Sequence, residues 1–266
     1  MGKFNTFLIF TIVLFVTCAS ASAQSNAQIE KEILGHLKNL EKFSERSGTS
    51  DIDALDKENR ILEKELLRYG QKASILKYDF PALADTMTIA TSKDRKLRIY
   101  SWDDETGGTG RYSHNVFQYL DKAGRSHTWS SGPRREGEVC SGWYHQIFHT
   151  DTPTGRIYLA NSTANCSNAL ASQSLSIFRI DGSKLNSNLR LIKTKSGLKN
   201  SVLFEYDFFS VVDHPERPIN LFFFDDAKKA FRFPVVLEDP KFLNGGRVTD
   251  KFITYRFNGK YFVKVS

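Results

Sequence analysis

Apolar residues between positions 24 and 47 recur every three or four places, at Ile29, Ile33, Leu37 and Leu40, which is the period of one helix face. Gly48 and Thr49 interrupt the pattern, and Ser50-Asp51-Ile52-Asp53 restarts it as a capping-box-like helix start with Ser50 as the N-cap. Ile52, Leu55, Leu62, Leu66 and Tyr69 form the second stripe, with Asn59 in the same series and Gly70 as the C-cap residue. Asp53–Lys57 and Asp56–Arg60 are supporting i,i+4 pairs. The pattern predicts an antiparallel helical hairpin over 24–71. Two heptads are too few to stand alone, so the hairpin packs on its own β domain or, alternatively, serves as a dimerisation or docking arm.

Positions 72–86 read as a connector, with Tyr78, Phe80, Pro81 and Leu83 tucking it against the body. From Met87 onward the period changes to two, and strand-like runs alternate with short turn signals. Asp121 to Gly124, Asp181-Gly182 and Asn258-Gly259 are examples, the last read as a type I′ hairpin turn. The first turns recur at about thirty residues, as successive hairpins do. Val202 to Val212 and Ile219 to Phe224 are the most hydrophobic strands and read as central ones, joined by the Pro-stiffened 213–218. The expected fold is mainly β, an antiparallel β-meander that is propeller-like or a half-closed barrel, over 87–266, behind the N-terminal α-helical hairpin.

The first 23 residues read as a signal peptide. Lys3 supplies the positive end, Phe7 to Val16 is an apolar run too short to span a bilayer, and Ala21-Ser22-Ala23 is a cleavage site that would leave Gln24 first. No later segment is apolar enough to cross a membrane, so a secreted or periplasmic address follows. Losing Lys3 takes the formal charge from +7 to +6, a moderate excess suited to anionic envelope polymers and acidic glycans rather than nucleic acid. Cys18 leaves with the leader. Cys140 and Cys166 remain as an even pair and are expected to form a disulfide in an oxidising compartment.

The densest chemical signal is Leu97 to Gly110, LRIYSWDDETGGTG. Its strand alternation places Leu97 and Ile99 on one face and Tyr100 and Trp102 on the other. Trp102 leads into Asp103, Asp104 and Glu105, and then into a Gly-rich loop. Tyr100, Trp102, Asp103, Asp104, Glu105, Arg111 and Trp143 are therefore the candidate ligand-binding residues, with the rings supplying stacking area and the charges polar contacts. Paired with Asp225 or Asp226, the acids would instead suit glycoside hydrolysis. Their spacing is not that of a calcium loop. His145 and His149 form an H-x₃-H that, on a strand, shares a face with Trp143 and Ile147. A zinc site there would need Asp151 or His127 as a third ligand, and no metal or cofactor is expected. No nucleophile elbow is found.

LRIYSWDDETGGTG, together with Leu191 to Leu221 and FITYRFNGKYFVKV (Phe252 to Val265), resembles a group of secreted bacterial proteins that are domains of unknown function. The resemblance covers most of Leu97 to Val265 and implies an exported β protein, with no catalytic residue to carry over. The sequence thus points to a non-enzymatic exported binding protein facing a glycan, peptide or envelope partner. A secreted hydrolase using the same acids is the rival, and the hairpin is a route to an oligomer.

Overall fold

The computed structural model describes residues 24–44, 48, 51–132, 137–212 and 219–265. The leader with its cleavage site, Ser50, and the 213–218 joint lie outside the described residues. Helix α1 (Asn26–Phe43) begins at Ser25, whose hydroxyl accepts from the Gln28 amide at 3.2 Å. Helix α2 (Ile52–Tyr69) begins at Asp51, whose carboxylate accepts from the Ala54 amide at 3.0 Å. Asp51 is therefore the cap, and Ile52 is 50% exposed at the first turn instead of lying in the seam. Gly70 ends α2 with right-handed backbone (φ −62°), so a left-handed turn is not what requires it. A Cβ there would sit 2.4 Å from Thr128 Cγ2; the glycine lets the helix end press on the sheet.

Two short 3₁₀ turns, Ala73–Lys77 and Pro81–Leu83, form the connector. The first sheet follows as an antiparallel meander of β1 (Thr88–Thr91), β2 (Leu97–Asp103), β3 (Ser113–Leu120) and β4 (Ser126–Ser130). A second contains β5 (Trp143–Thr152), β6 (Gly155–Asn165) and β7 (Leu170–Asp181), with β8 (Lys184–Asn186) beside β7. After β9 (Ile192–Thr194) and β10 (Gly197–Lys199), β11 (Ser201–Asp207) returns to complete it in the order β11-β7-β6-β5. The chain then passes α3 (Phe209–Val212) into β12 (Phe223–Asp225), β13 (Ala230–Leu237), β14 (Arg247–Phe257) and β15 (Phe262–Lys264). These join β9 and β10 in a third sheet, ordered β10-β9-β15-β14-β13-β12, whose β15–β9 pair is parallel.

Alternation explains how the sheets stack. Tyr158 and Ala160 on β6 face one way and meet Leu97, Ile99, Phe117 and Tyr119 of the first sheet. Ile157 and Leu159 face the other way and meet Phe231, Phe233, Tyr255 and Phe262 of the third. The remaining face of the first sheet, with Tyr100, Trp102 and Val116, receives Ile29, Ile33, Leu62 and Leu66 of the hairpin. The order of layers is thus hairpin, first, second and third sheet. The expected mainly β, antiparallel architecture behind a helical hairpin is what is found, and among the described residues no sheet closes into a barrel.

Three local expectations are corrected. The run from Val202 is a strand only to Asp207 and then turns into α3; β11 and β12 are edge strands, not central ones. Leu203 is 62% exposed because none of the described residues covers that face of the edge. The Asn258-Gly259 hairpin is present, but its loop holds four residues, since Phe257 pairs with Phe262. Only Gly259 has a positive φ there (99°), so the turn is not type I′; the Asn258 side chain instead accepts from the Lys260 and Tyr261 amides. The third correction is a β-bulge at His145. Tyr144 pairs with Ser162 but Gln146 with Asn161, so His145 is the extra residue and the H-x₃-H alternation is broken.

Candidate functional site

The structure places the predicted site residues in three different surroundings. Tyr100 and Trp102 are buried, at 1% and 2% exposed, beneath the hairpin. The expected stacking surface is therefore not presented: the face of β2 opposite Leu97 and Ile99 is a second core face. Trp102 Nε1 donates to Asn59 Oδ1 at 2.8 Å, and Asn59 Nδ2 donates to the carbonyls of Leu55 (3.0 Å) and Asp104 (2.8 Å). Tyr100 donates to Gln118 Oε1 at 2.8 Å, and Gln118 Nε2 reaches the Gly70 carbonyl at 2.9 Å. Both rings join helix α2 to the sheet.

The acids are structural in the same way. Asp104 is 4% exposed, and its Oδ1 accepts from the Thr106 amide (2.9 Å) and hydroxyl (2.7 Å). Burial raises its carboxyl, and burial lowers His114, whose Nε2 lies 3.9 Å from Asp104 Oδ2 and whose Nδ1 lies 3.9 Å from Glu63. Asp103 accepts from the Glu105 amide at 3.0 Å and sits 3.6 Å from Arg111. Glu105 takes the left-handed turn position (φ 60°). Two of the loop glycines are demanded by close approach rather than by freedom to move. A Cβ on Gly107 would lie 2.1 Å from the Gly110 carbonyl oxygen, and one on Gly110 would lie 2.9 Å from that of Val139. The Cys140–Cys166 disulfide forms beside this loop, with Cα atoms 4.9 Å apart. Trp143 is half-buried and lines a depression with Trp102 and Asp103 of about 210 Å³. That is below the ~300–1,000 Å³ usual for a small-molecule site.

The acids do not converge with Asp225 or Asp226. Asp226 shares a groove with Lys93 and Asp94, at the turn before β2, whereas Asp103 ends β2. Seven strand residues at ~3.3 Å each separate the two ends by roughly 20 Å, well beyond the ~5–9.5 Å of a glycosidase pair. Nor do the histidines gather ligands. His127 bonds Asp121 (3.1 Å) and Asp151 pairs with Arg156 (2.8 Å). Among the described residues no three metal-ligating side chains come together.

His145 carries a pH prediction instead. Its Nε2 bonds Thr163 Oγ1 at 2.9 Å, its Nδ1 has no protein partner, and burial pushes the imidazole down to about 4. The unfolded chain protonates this group near pH ~6.5 and so binds more protons than the native state between the two values. Stability should fall as pH drops through that window, by the order of 2–3 kcal/mol from this residue. His114 acts in the same direction, and Asp104, raised by burial, opposes it. Urea midpoints of His145→Gln measured from pH 7 to 4.5 should decline less steeply than the parent's. Parallel profiles would remove the assignment.

A different surface has the features that the predicted one lacks. On the third sheet, Phe231, Phe233 and Tyr255 point into the core, so their neighbours point outward. Phe223 is cross-strand to Arg232, Arg232 to Thr254, and Ala230 to Arg256, all on that outer face. The Arg232 guanidinium lies 4.6 Å from the Phe252 ring centre and 5.2 Å from that of Phe223. The two rings stand edge to face at 5.7 Å, so the cation is held between them. Arg232 and Arg256 are exposed, and neither has a carboxylate within ion-pair distance among the described residues. Asp225 is engaged by Lys228, through its amide at 3.0 Å and its ammonium at 3.3 Å, and the amide hydrogen bond holds its carboxyl low. These groups line a half-open depression of about 660 Å³, within the small-ligand range. Sequence reading missed it because Arg232, Thr254 and Arg256 occupy the ordinary polar positions of alternating strands. Only the pairing of β12, β13 and β14 brings them together.

No protein-family model matches the chain, and the comparisons with curated proteins and solved structures found no match.

Proposed function

We propose that this is an exported, non-enzymatic binding protein that holds an acidic glycan on the outer face of its third sheet. The observation that carries the reading is the pair of guanidiniums, Arg232 and Arg256, that have no carboxylate partner among the described residues and lie in an open depression of about 660 Å³. A guanidinium presents a planar fork of donors to a carboxylate, sulfate or phosphate, and one fixed between two rings loses little entropy on binding. The formal charge of +7, or +6 once a leader carrying Lys3 is removed, favours the approach of an anion. The disulfide fits an oxidising compartment, and no described helix is long and apolar enough to cross a membrane. Outside the cell, polymers bearing uronic acid, phosphate or sulfate are the abundant anions.

A charge-assisted hydrogen bond contributes ~1.5–3 kcal/mol, so Arg232→Gln with Arg256→Gln should weaken binding to sodium hyaluronate about tenfold or more. Both side chains are exposed, so the melting temperature should stay close to that of the parent. Binding should fall with added salt, and uncharged dextran should not compete. Calorimetry that finds equal affinity in parent and double variant would refute the site.

A further inference from the structure

The depression around Arg232 is not isolated. On the far side of β12 a second groove of about 480 Å³ is lined by Lys93, Phe148, His149, Phe224 and Asp226. Phe224 lines both, and it stacks on Phe148 with ring centres 5.3 Å apart. We infer that the ligand is a chain that crosses β12, with an acidic sugar over Arg232 and Arg256 and an uncharged sugar in the groove of Phe148 and His149. This rests on the binding function proposed above and adds the length and charge pattern of its ligand.

The two grooves differ in chemistry. The first offers guanidiniums without carboxylate partners among the described residues. The second offers one cation, Lys93, and one exposed anion, Asp226, while its Asp94 is already bonded to Arg156 (3.0 Å) and Tyr158 (3.0 Å). A donor and an acceptor beside aromatic carbon suit the hydroxyls and ring of a neutral sugar, and give an anion no net attraction. A peptide would be drawn along β12, an edge strand with open backbone groups. The grooves instead lie on its two sides, so a bound chain runs across it.

Hyaluronan oligosaccharides, which alternate acidic and neutral sugars, test this by calorimetry. Affinity should rise about fivefold or more from free glucuronate, which fills only the Arg232 depression, to the hexasaccharide, the worth of one to two added hydrogen bonds. His149→Ala with Asp226→Ala alters side chains at the groove rim; it should abolish that increment and leave the affinity for glucuronate unchanged. Arg232→Gln should weaken every length. An increment that survives the double variant, affinity independent of length, or tighter binding of poly-glutamate than of the hexasaccharide would each overturn the chain-crossing inference. If Arg232→Gln still weakens glucuronate binding, the first site stands without it; if neither glucuronate nor any oligosaccharide binds, both fall.

Discussion

Trp102→Ala should lower the unfolding free energy by about 3–5 kcal/mol, the usual loss for a large buried ring. The ring is 2% exposed, and it packs in one cluster with Leu55, Leu62 and Leu66 of α2. Removing it opens a cavity at the hairpin interface, which a sheet and a helix cannot both collapse to fill. The substitution also strands Asn59 Oδ1, which accepts from Trp102 Nε1 at 2.8 Å. Trp102→Phe separates these effects: it keeps most of the apolar volume, loses the donor, and should cost about 1–3 kcal/mol for the unpaired buried acceptor. Urea midpoints should therefore rank parent, Phe, Ala. Limited proteolysis should cut the hairpin of the alanine variant first, because that layer loses its anchor. Parent-like stability in Trp102→Ala would show that the ring holds nothing in place.

The stretch around Trp102 shows how far the sequence could be read. Its alternation is visible, and so is its singularity, but alternation only says that Leu97 and Trp102 face opposite ways. It does not say which face is wet. In a two-layer protein one face of an edge sheet meets solvent. Here the hairpin supplies another layer, and both faces are dry. The clue was in α2: Asn59 sits among Leu55, Leu62 and Leu66, and a polar residue on an apolar stripe implies a buried partner across the interface. Helix periodicity, the disulfide and the antiparallel hairpins were legible because they depend on local spacing or on elimination. The Arg232 face was not, because its residues come from three strands and each looks like routine solvent-facing polarity. The His145 bulge was hidden for a related reason, since a bulge is set by the partner strand's register.

Arg98 gives the second large effect, and it shows the same residue type in the opposite role to Arg232. Arg98 is 1% exposed, and among the described residues no carboxylate pairs with it. Its charge is met by carbonyl oxygens of the connector: Ile75 at 2.9 Å, Tyr78 at 2.7 Å and Leu76 at 3.2 Å, with Thr91 Oγ1 at 2.8 Å from Nε. Phe80 and Tyr100 flank it with ring centres 5.7 and 5.8 Å away. The connector contains two tight turns and no strand, so these bonds tie it to the first sheet. Arg98→Met keeps much of the length and apolar stem but removes every donor, leaving the Leu76 and Tyr78 carbonyls without this partner in a dry interface. At ~1–3 kcal/mol for each buried group so stranded, the loss should reach about 3 kcal/mol or more. Arg98→Lys keeps the charge, yet one ammonium cannot reproduce the guanidinium fork, so it should fall between parent and Met. Urea titration gives the order, and proteolysis should cut between positions 72 and 87 first in the Met variant. Under conditions where Arg98→Met remains folded, its affinity for hyaluronate should equal the parent's, because the connector and the Arg232 face lie on opposite sides of the stacked sheets. Weakened binding by that folded variant would contradict this separation of roles.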